Sequence, residues 1–301
     1  MPASAHQIDV PTLEYYLAAS ARSPVALRLV LGNLLRTLRK AAGIDAEAAG
    51  RYIDGSEAKI SRVERAQVAC KHDDVMSLLT LYGVFDDKVR GHFAEMVRIS
   101  RQPGWWHRFE GVLPDWCGKL IGLQEAASVI RTYEVQLVPG LLQTPAYTEA
   151  LVRQAYPQAS QEEVDDRVVL RKLRQNVLAR EEAPRLWALL DEAVLHRPMG
   201  GEQILREQLR HLVTMAQLDH VTIQIAPFNR PGSIAAGFPI THLRFDEGLE
   251  LPDVVYLEQL QDADYLDKQE ETQRYRRVLD GLAHASLTPK ESVDFLNDLL
   301  D

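Results

Sequence analysis

The chain has 301 residues, 46% of them hydrophobic and 26% charged, which is typical of a soluble globular protein with about two domains. It has no run of about 18 apolar residues, and residues 1–10 lack the basic and apolar regions of a secretory signal, so we expect neither a membrane span nor export. Two cysteines, Cys70 and Cys117, exclude a disulfide framework and lack metal-ligand spacing, so we expect a cytoplasmic protein without a metal or cofactor.

The net charge of −9 is distributed unevenly along the chain. Between Arg22 and Lys71 there are ten basic and five acidic residues, a local balance of +5 that leaves −14 for the remainder. A protein that coats nucleic acid over its whole surface would be basic throughout, so this class is excluded. A basic segment on an acidic chain instead indicates that one domain alone contacts phosphate.

Residues 1–22 carry no firm signal and are interpreted as an N-terminal tail or arm. Leu13, Tyr16 and Leu17 would share one face of a short helix over residues 12–21. A frayed tail or an arm that joins two subunits fits the same pattern, so all three interpretations stay open.

Residues 23–102 are predicted to form a module of five helices. The first helix opens at Pro24, repeats apolar residues at i, i+3 and i+4, and stops at Gly43. A turn at Asp54-Gly55 separates the second helix from the third. The expected N-caps of the later helices are Asp45, Ser56, Asp73 and Asp86.

The stretch from Ser56 to Arg65 is the candidate recognition helix of this module. Ile60 and Val63 lie three apart and share a buried edge, which leaves the other side polar and partly basic. A solvated surface helix is the alternative interpretation. The position directly after a tight turn, inside the basic segment, favours a helix that enters the major groove of DNA.

Three segments of the module form a pattern: Leu31-Gly32-x-x-Leu35-x-x-Leu38-Arg39, Ala42-Gly43 and Ser56-x-x-Lys59-Ile60-Ser61-Arg62-x-Glu64. In this pattern the module resembles the Xre (Cro/repressor-like) helix-turn-helix family. Two positions depart from the family: Asp54-Gly55 stands where Gly and an aliphatic residue are usual, and Gly50 replaces an alanine. The glycine fits sterically but costs about 1 kcal/mol of helix propensity.

The resemblance implies roles for the residues of the third helix. Glu57, Ala58 and Arg62 would face base edges, with Arg62 paired to guanine. Lys59, Ser61 and Arg65 would face the DNA backbone, and Ser56 completes the predicted DNA-binding set. A homodimer would read two half-sites of a two-fold operator about one helical turn apart.

The sequence Arg101-Gln102-Pro103-Gly104 breaks the helical pattern and marks the predicted boundary, so that residues 103–301 form a larger α+β sensor or dimerisation domain with a small sheet. The protein as a whole is therefore predicted to be mainly α. An aromatic cluster follows the boundary, and we interpret it as an anchor between domains rather than a platform for stacking bases. Its members are Trp105, Trp106, Phe109 and Trp116.

In this second domain, helices are expected over residues 120–132, 160–180, 204–218, 267–285 and 289–300. Strands are expected over residues 186–190, 221–226, 238–245 and 254–257, with a short β-like run from Tyr133 that ends at Pro139-Gly140. Arginines alternate with acidic residues in the 160–180 helix. This pattern favours i,i+4 ion pairs on a solvated or interdomain face over a nucleic-acid face.

Several segments of the second domain form another pattern: Tyr133-Glu134, Val138-Pro139-Gly140-Leu141-Leu142-Gln143-Thr144, Arg171-x-x-Arg174-Gln175, Asp191-Glu192-Ala193, Gly200-Gly201 and Val255-Tyr256-x-Glu258. Here the chain resembles a C-terminal domain of unknown function that many actinobacterial Xre-type regulators carry. Members of this family are thought to pair with small proteins encoded nearby. The resemblance therefore also implies an antitoxin-like protein whose C-terminal domain binds a small partner.

Catalysis has one candidate group, Asp191, Glu192 and His196, because His196 lies four residues after Glu192. The alternative is that Asp191 caps the turn after a strand. Nucleophile-elbow, phosphate-loop and paired-histidine motifs are absent from the sequence, which favours a protein that is not an enzyme. A candidate ligand pocket would be lined by Trp187, Phe228, Phe238 and Tyr256, although these residues fit an ordinary core equally well.

The predicted function is sequence-specific binding of double-stranded DNA by a homodimeric transcription regulator. Its C-terminal domain would sense a small-molecule effector or a protein partner. The alternative is the antitoxin-like interaction module, and neither function involves a membrane.

Overall fold

A computed structural model describes residues 10–20, 23–230, 237–249 and 251–301 of the chain. These residues form thirteen α-helices and one six-stranded sheet, which confirms the predicted mainly α class with a small sheet. The contacts divide the chain into two compact units. The first runs to His107 and includes the short segment Asp246–Leu251, and the second comprises Arg108–Phe245 and Pro252–Asp301.

The first unit is entirely helical in its described part. Its helices are α1 (Val10–Ser20), α2 (Pro24–Ala41), α3 (Ala46–Tyr52), α4 (Glu57–Glu64), α5 (His72–Leu81) and α6 (Asp87–Ser100). The predicted caps Asp45, Ser56 and Asp86 each accept a hydrogen bond from a first-turn N–H group. Asp73 instead lies inside the first turn of α5, whose capping residue is Lys71.

The helix α1 occupies part of the predicted N-terminal tail. Leu13 and Tyr16 are buried, and α1 packs against α2 and α6 of the same unit. The hydroxyl of Tyr15 donates a hydrogen bond of 3.0 Å to Asp246. Residues 10–20 therefore form part of the helical core, whereas residues 1–9, 21 and 22 of the predicted tail lie outside the described residues.

The second unit surrounds the sheet with helices on both faces. Its helices are α7 (Cys117–Ala126), α8 (Pro145–Ala155), α9 (Gln161–Gln175), α10 (Ala193–His196), α11 (Glu202–Met215), α12 (Gln269–Ala285) and α13 (Pro289–Asp298). Its strands are β1 (Val129–Glu134), β2 (Arg185–Asp191), β3 (Val221–Ala226), β4 (Ile240–Arg244), β5 (Val254–Glu258) and β6 (Ala263–Leu266).

The strand order across the sheet is β3-β2-β1-β4-β5-β6. Strands β1, β2 and β3 run parallel, and β4, β5 and β6 extend the sheet through antiparallel pairs. Because cross-strand partners point to the same face, Trp187, Arg131, His242 and Val255 form one row. Leu279 and Leu282 of α12 pack in the core on this face, which we call the α12 face.

Two predicted helices in this unit are longer than those in the structure. The helix expected over residues 120–132 ends at Ala126, and Val129 begins the central strand β1. Residues 129–132 have an apolar pattern that suits either structure, and pairing with β2 and β4 selects the strand. The helix expected over residues 160–180 ends at Gln175 and continues as a 3-10 turn over Asn176–Ala179.

The aromatic cluster lies around the point where the two units meet in sequence. Trp105–Phe109 forms a 3-10 helix, and the rings of Trp105 and Trp106 pack edge to face with centroids 5.8 Å apart. Trp106 and Phe109 are buried. An anchoring role between the units stays a prediction.

Candidate nucleic-acid interface

The turn between α3 and α4 is closed by backbone hydrogen bonds. The N–H of Gly55 donates to the carbonyl of Gly50 over 2.9 Å, and the N–H of Asp54 donates to Arg51 over 3.2 Å. Asp54 has a φ of 50°, in the left-handed region that aspartate tolerates better than most residues. The unusual Asp54-Gly55 pair therefore makes the tight turn that a helix-turn-helix requires.

Gly50 allows α3 to approach the start of α4 very closely. A Cβ atom at residue 50 would lie 2.6 Å from the carbonyl carbon and 2.8 Å from the carbonyl oxygen of Ser56. Even alanine would force backbone to move at this point. Gly50 thus costs helix propensity but is required, because no side chain fits between α3 and the start of α4. The sequence pattern did not reveal this requirement.

Two further contacts fix α4 on α2. A Cβ atom at Gly32 would lie 2.7 Å from the carbonyl oxygen of Glu64, so the two helices touch through their backbones. Arg39 forms a bidentate ion pair with Glu64, at 2.6 Å and 2.9 Å, and donates to the carbonyl of Ile44. The side chains of Arg39 and Glu64 are 12% and 7% exposed, so this ion pair is part of the core and not of the surface.

The solvent-facing side of α4 carries most of the predicted DNA-binding residues. Ile60 and Val63 are buried as expected, whereas Ser61 is only half-buried. The exposed members of the set are Ser56, Glu57, Ala58, Arg62 and Arg65. Arg62 donates through Nε to the carbonyl of Ala58 at 3.3 Å, and Arg65 donates to the backbone and hydroxyl of Ser61.

Lys59 differs from its neighbours because it already has an anionic partner. Its Nζ atom lies 2.7 Å from a carboxylate oxygen of Asp74 on α5. A DNA phosphate would therefore have to compete with this carboxylate for Lys59. The ion pair also connects α4 to α5, which gives Lys59 a structural role in addition to the predicted one.

Tyr52, a candidate contact, was missed by the sequence reasoning. It is the last residue of α3, stands directly before the turn, and is 49% exposed. An exposed aromatic residue with a hydroxyl at this position can donate to a phosphate beside the recognition helix. The sequence feature that could have identified Tyr52 was an aromatic residue at the polar end of the second helix.

Comparisons with known families agree with this geometry. A helix-turn-helix domain model matches residues 30–93, which include α3, the turn and α4. A second model, of a domain of unknown function (DUF5753), matches residues 117–298. The chain belongs to the DUF5753 family. No curated protein and no solved structure matches the chain.

The helix-turn-helix domain indicates DNA binding and a role in transcription regulation. The matched residues contain every position of the predicted DNA-binding set. Among the helices that the structure describes, none has the length and apolar character needed to cross a membrane.

The structure does not gather the four residues of the predicted apolar pocket on one face of the sheet. Trp187 lies on the α12 face, where its Nε1 atom donates to Gln224 over 2.7 Å. Tyr256 follows Val255 along β5 and so points to the opposite face. Phe228 and Phe238 are 64% and 45% exposed. The side chains of adjacent strand residues alternate between faces, and this alternation separates residues that the sequence interpretation grouped together.

The candidate catalytic group of the DUF5753 domain is engaged in local hydrogen bonds. Asp191 accepts from the N–H of Ala193 over 2.9 Å and so caps the turn after β2. Glu192 accepts from the N–H of Phe228 over 2.7 Å, and its other oxygen lies 3.3 Å from Nε2 of His196. The ring of His196 also stacks on Phe228.

The interpretation of the α9 arginines as partners in i,i+4 ion pairs was wrong. Arg167 stacks on the ring of Tyr156, 3.8 Å from its centroid, and Arg174 donates to Gln124 over 2.7 Å. Arg180, beyond the helix end, pairs with Glu125. These three arginines therefore turn toward other elements of the DUF5753 domain.

Proposed function

We propose that the protein is an Xre-type transcription regulator that binds a two-fold operator as a homodimer. The observation that supports this function is the position of α4, which packs on α2 with one side and exposes the other side to solvent. Gly32 and the pair Arg39–Glu64 fix it on α2, and Glu57, Ala58 and Arg62 face solvent. A rigid helix with an exposed arginine is what base reading in the major groove requires.

Arg62 would read a guanine in each half-site. Its Nε atom is occupied by the Ala58 carbonyl, which holds the side chain along the helix, and both Nη atoms are left without a hydrogen bond among the described residues. Two parallel donors suit the O6 and N7 acceptors of guanine. The DNA backbone would be contacted by Ser56, Ser61 and Arg65, with Tyr52 as a further contact. Lys59 would also contact it, in competition with Asp74.

Selection of bound sequences from random DNA by the purified full chain tests this function. A two-fold motif with a guanine in each half-site is expected. The variant Arg62→Ala should weaken binding to the selected site about 10- to 100-fold and relax the preference at that guanine. The control Arg210→Ala removes an exposed arginine from α11 and should change neither property. Unchanged affinity and preference in Arg62→Ala would reject α4 as the recognition helix.

In this proposal the DUF5753 domain receives a signal and catalyses no reaction. The local hydrogen bonds of Asp191 and Glu192 support the absence of catalysis, because both carboxylates already accept from backbone N–H groups. The antitoxin-like interaction with a small partner is the second candidate, and the charge of −14 outside the basic segment favours it. Native mass spectrometry of the protein from its own cells separates the candidates. A stable complex with a second chain, together with failure to bind any selected DNA, would support the antitoxin-like function and not the DNA-binding one.

A further inference from the structure

The face of the sheet opposite α12 carries an unusual row of polar residues. Thr132, Thr241, Tyr256 and Tyr265 are cross-strand partners on β1, β4, β5 and β6, so they point to the same side. Glu134 follows two residues after Thr132 and accepts a hydrogen bond of 3.2 Å from its hydroxyl. We call this the polar face. Buried sheet faces are normally apolar, so this concentration of hydroxyl and carboxyl groups calls for a reason.

The helices α7 and α9 bring charged groups to the polar face. Lys119 of α7 lies over the ring of Tyr265, 4.3 Å from its centroid, and the hydroxyl of Tyr265 donates to the Trp116 carbonyl. Arg171 and Arg174 lie one turn apart on α9, and both act electrostatically on Glu134 and on the thiol of Cys117. Three cations therefore lie close to the polar face.

Arg171 is the exceptional member of this group. It forms neither a hydrogen bond nor an ion pair with any residue that the structure describes, although Glu134 and Glu258 lie within electrostatic range. Burial lowers the pKa of Arg171 to about 10, and repulsion by Arg174 acts in the same direction. The residue is half-buried, so its guanidinium is surrounded by protein and yet keeps accessible surface. This combination leaves the guanidinium able to meet a ligand.

Arg171 is not needed to hold the neighbouring loop. The residues from Pro139 to Thr144 are already secured by amide side chains that bond to their backbone. Gln175 donates to the carbonyls of Gly140 and Gln143, and Gln208 bonds to Leu142 and Thr144. A Cβ atom on Gly140 would overlap Nη1 of Arg171, so this glycine leaves room for the guanidinium. A purely structural role would leave the burial of an unpaired cation unexplained.

Two further groups on the polar face can donate hydrogen bonds. The hydroxyl of Tyr256 is buried and has no hydrogen-bond partner. Burial, with a smaller effect of Glu258, raises the pKa of Glu134 to about 8, so this carboxyl carries a proton at neutral pH. A phenol and a neutral carboxyl on the polar face, with a cation on the helix beside it, can together bind an anionic group.

We propose that the polar face of the DUF5753 domain binds the carboxylate or phosphate group of a small effector, with Arg171 as its charge partner and the Tyr256 hydroxyl as a second donor. The regulatory meaning of this site rests on the proposed function, in which the domain receives a signal for the helix-turn-helix. The site replaces the apolar pocket expected from the sequence. It also gives the motif Arg171-x-x-Arg174-Gln175 two tasks, since Gln175 positions the loop and Arg171 meets the ligand.

Isothermal titration of the full chain with sodium phosphate and with sodium benzoate, at constant ionic strength, tests the proposal. Saturable binding of at least one anion is expected, and the two arms distinguish phosphate from carboxylate ligands. The variant Arg171→Gln should weaken that binding at least about tenfold. The control Lys172→Gln removes the same charge from an exposed position on the same helix and should leave binding unchanged.

The variant Tyr256→Phe covers the case in which Arg171→Gln fails to fold. It removes only the unpartnered hydroxyl and should weaken binding about 3- to 10-fold without loss of stability. If neither anion binds the wild type, or if Arg171→Gln binds as tightly as Lys172→Gln, the proposal is wrong.

The titration contains no DNA, so its outcome is independent of the proposed function. A chain that binds the selected operator but neither anion would overturn the effector site alone. A chain that binds an anion through Arg171 but no DNA would overturn the proposed function alone.

Discussion

Arg62 on α4 and Arg171 on α9 are the same residue type on helices of similar polarity, and the fold uses them in opposite ways. Arg62 is exposed, on a helix whose apolar edge is thin and whose other side faces solvent. Arg171 is half-buried beside Gly140 and has no hydrogen-bond or ion-pair partner among the described residues. An exposed arginine is available to bind a large anionic polymer such as DNA. A half-buried one favours a single small anion.

Arg39 completes the comparison because it is also half-buried but is fully paired. Its bidentate contact with Glu64 satisfies both charges, and this contact raises the pKa of Arg39. The neighbours that the fold supplies therefore distinguish an arginine that stabilises the core from one that recognises a ligand. The following changes test this distinction.

The largest effect is expected from Arg39→Met, which leaves Glu64 buried without a counter-ion. The free energy of unfolding of the helix-turn-helix unit should fall by about 3 kcal/mol, because an unpaired buried carboxylate is costly. Urea denaturation followed by circular dichroism measures this loss. The double variant Arg39→Met/Glu64→Leu serves as control and should recover most of the stability. An unchanged midpoint in Arg39→Met would show that the pair behaves as a surface ion pair.

A smaller, pH-dependent effect is expected from Glu134→Gln on the polar face. The folded pKa of Glu134 is raised to about 8, so its contribution to stability is fully present below the unfolded pKa and is lost as the pH rises through about 8. The groups that face it are Thr132, Glu258, Arg174 and Arg171. From pH 6 to pH 8 the wild type should lose about 2 kcal/mol that the glutamine variant keeps.

Thermal unfolding at several pH values measures this difference. The exposed Glu270→Gln is the matched control, and it should follow the wild type across the range. Parallel curves for the wild type and Glu134→Gln would mean that Glu134 is ionised in the folded protein at neutral pH.

The smallest effect is expected from Ser56→Ala at the start of α4. The hydroxyl of Ser56 accepts from the N–H of Lys59 over 3.2 Å, and its loss should cost about 1 kcal/mol of stability. Ser56→Asp keeps an acceptor at the cap and should retain the stability measured without DNA. Equal denaturation midpoints for the wild type and Ser56→Ala would show that the cap contributes little to holding α4.

The helices of the first unit were predicted well because their signals are local. A capping side chain such as Asp45 or Ser56 acts within one turn of its own helix. The apolar repeat from Leu27 to Leu38 specifies a helix with one buried side, whichever element packs against that side. The sheet was predicted less completely. Val129–Glu134 became a central strand through its neighbours β2 and β4, and β6 is a short strand that exists only as the partner of β5.

The sequence alone determined the helix-turn-helix, the exposed face of α4 and the mainly α class, because caps, turns and periodicity are properties of neighbouring residues. Tertiary structure alone decided the fate of the arginines in α9 and the separation of Trp187 from Tyr256. It also decided that residue 50 must be glycine. The physical reason is the same in each case. Burial, pairing and close backbone approach depend on residues far apart in the chain, and no local pattern specifies which of them will meet.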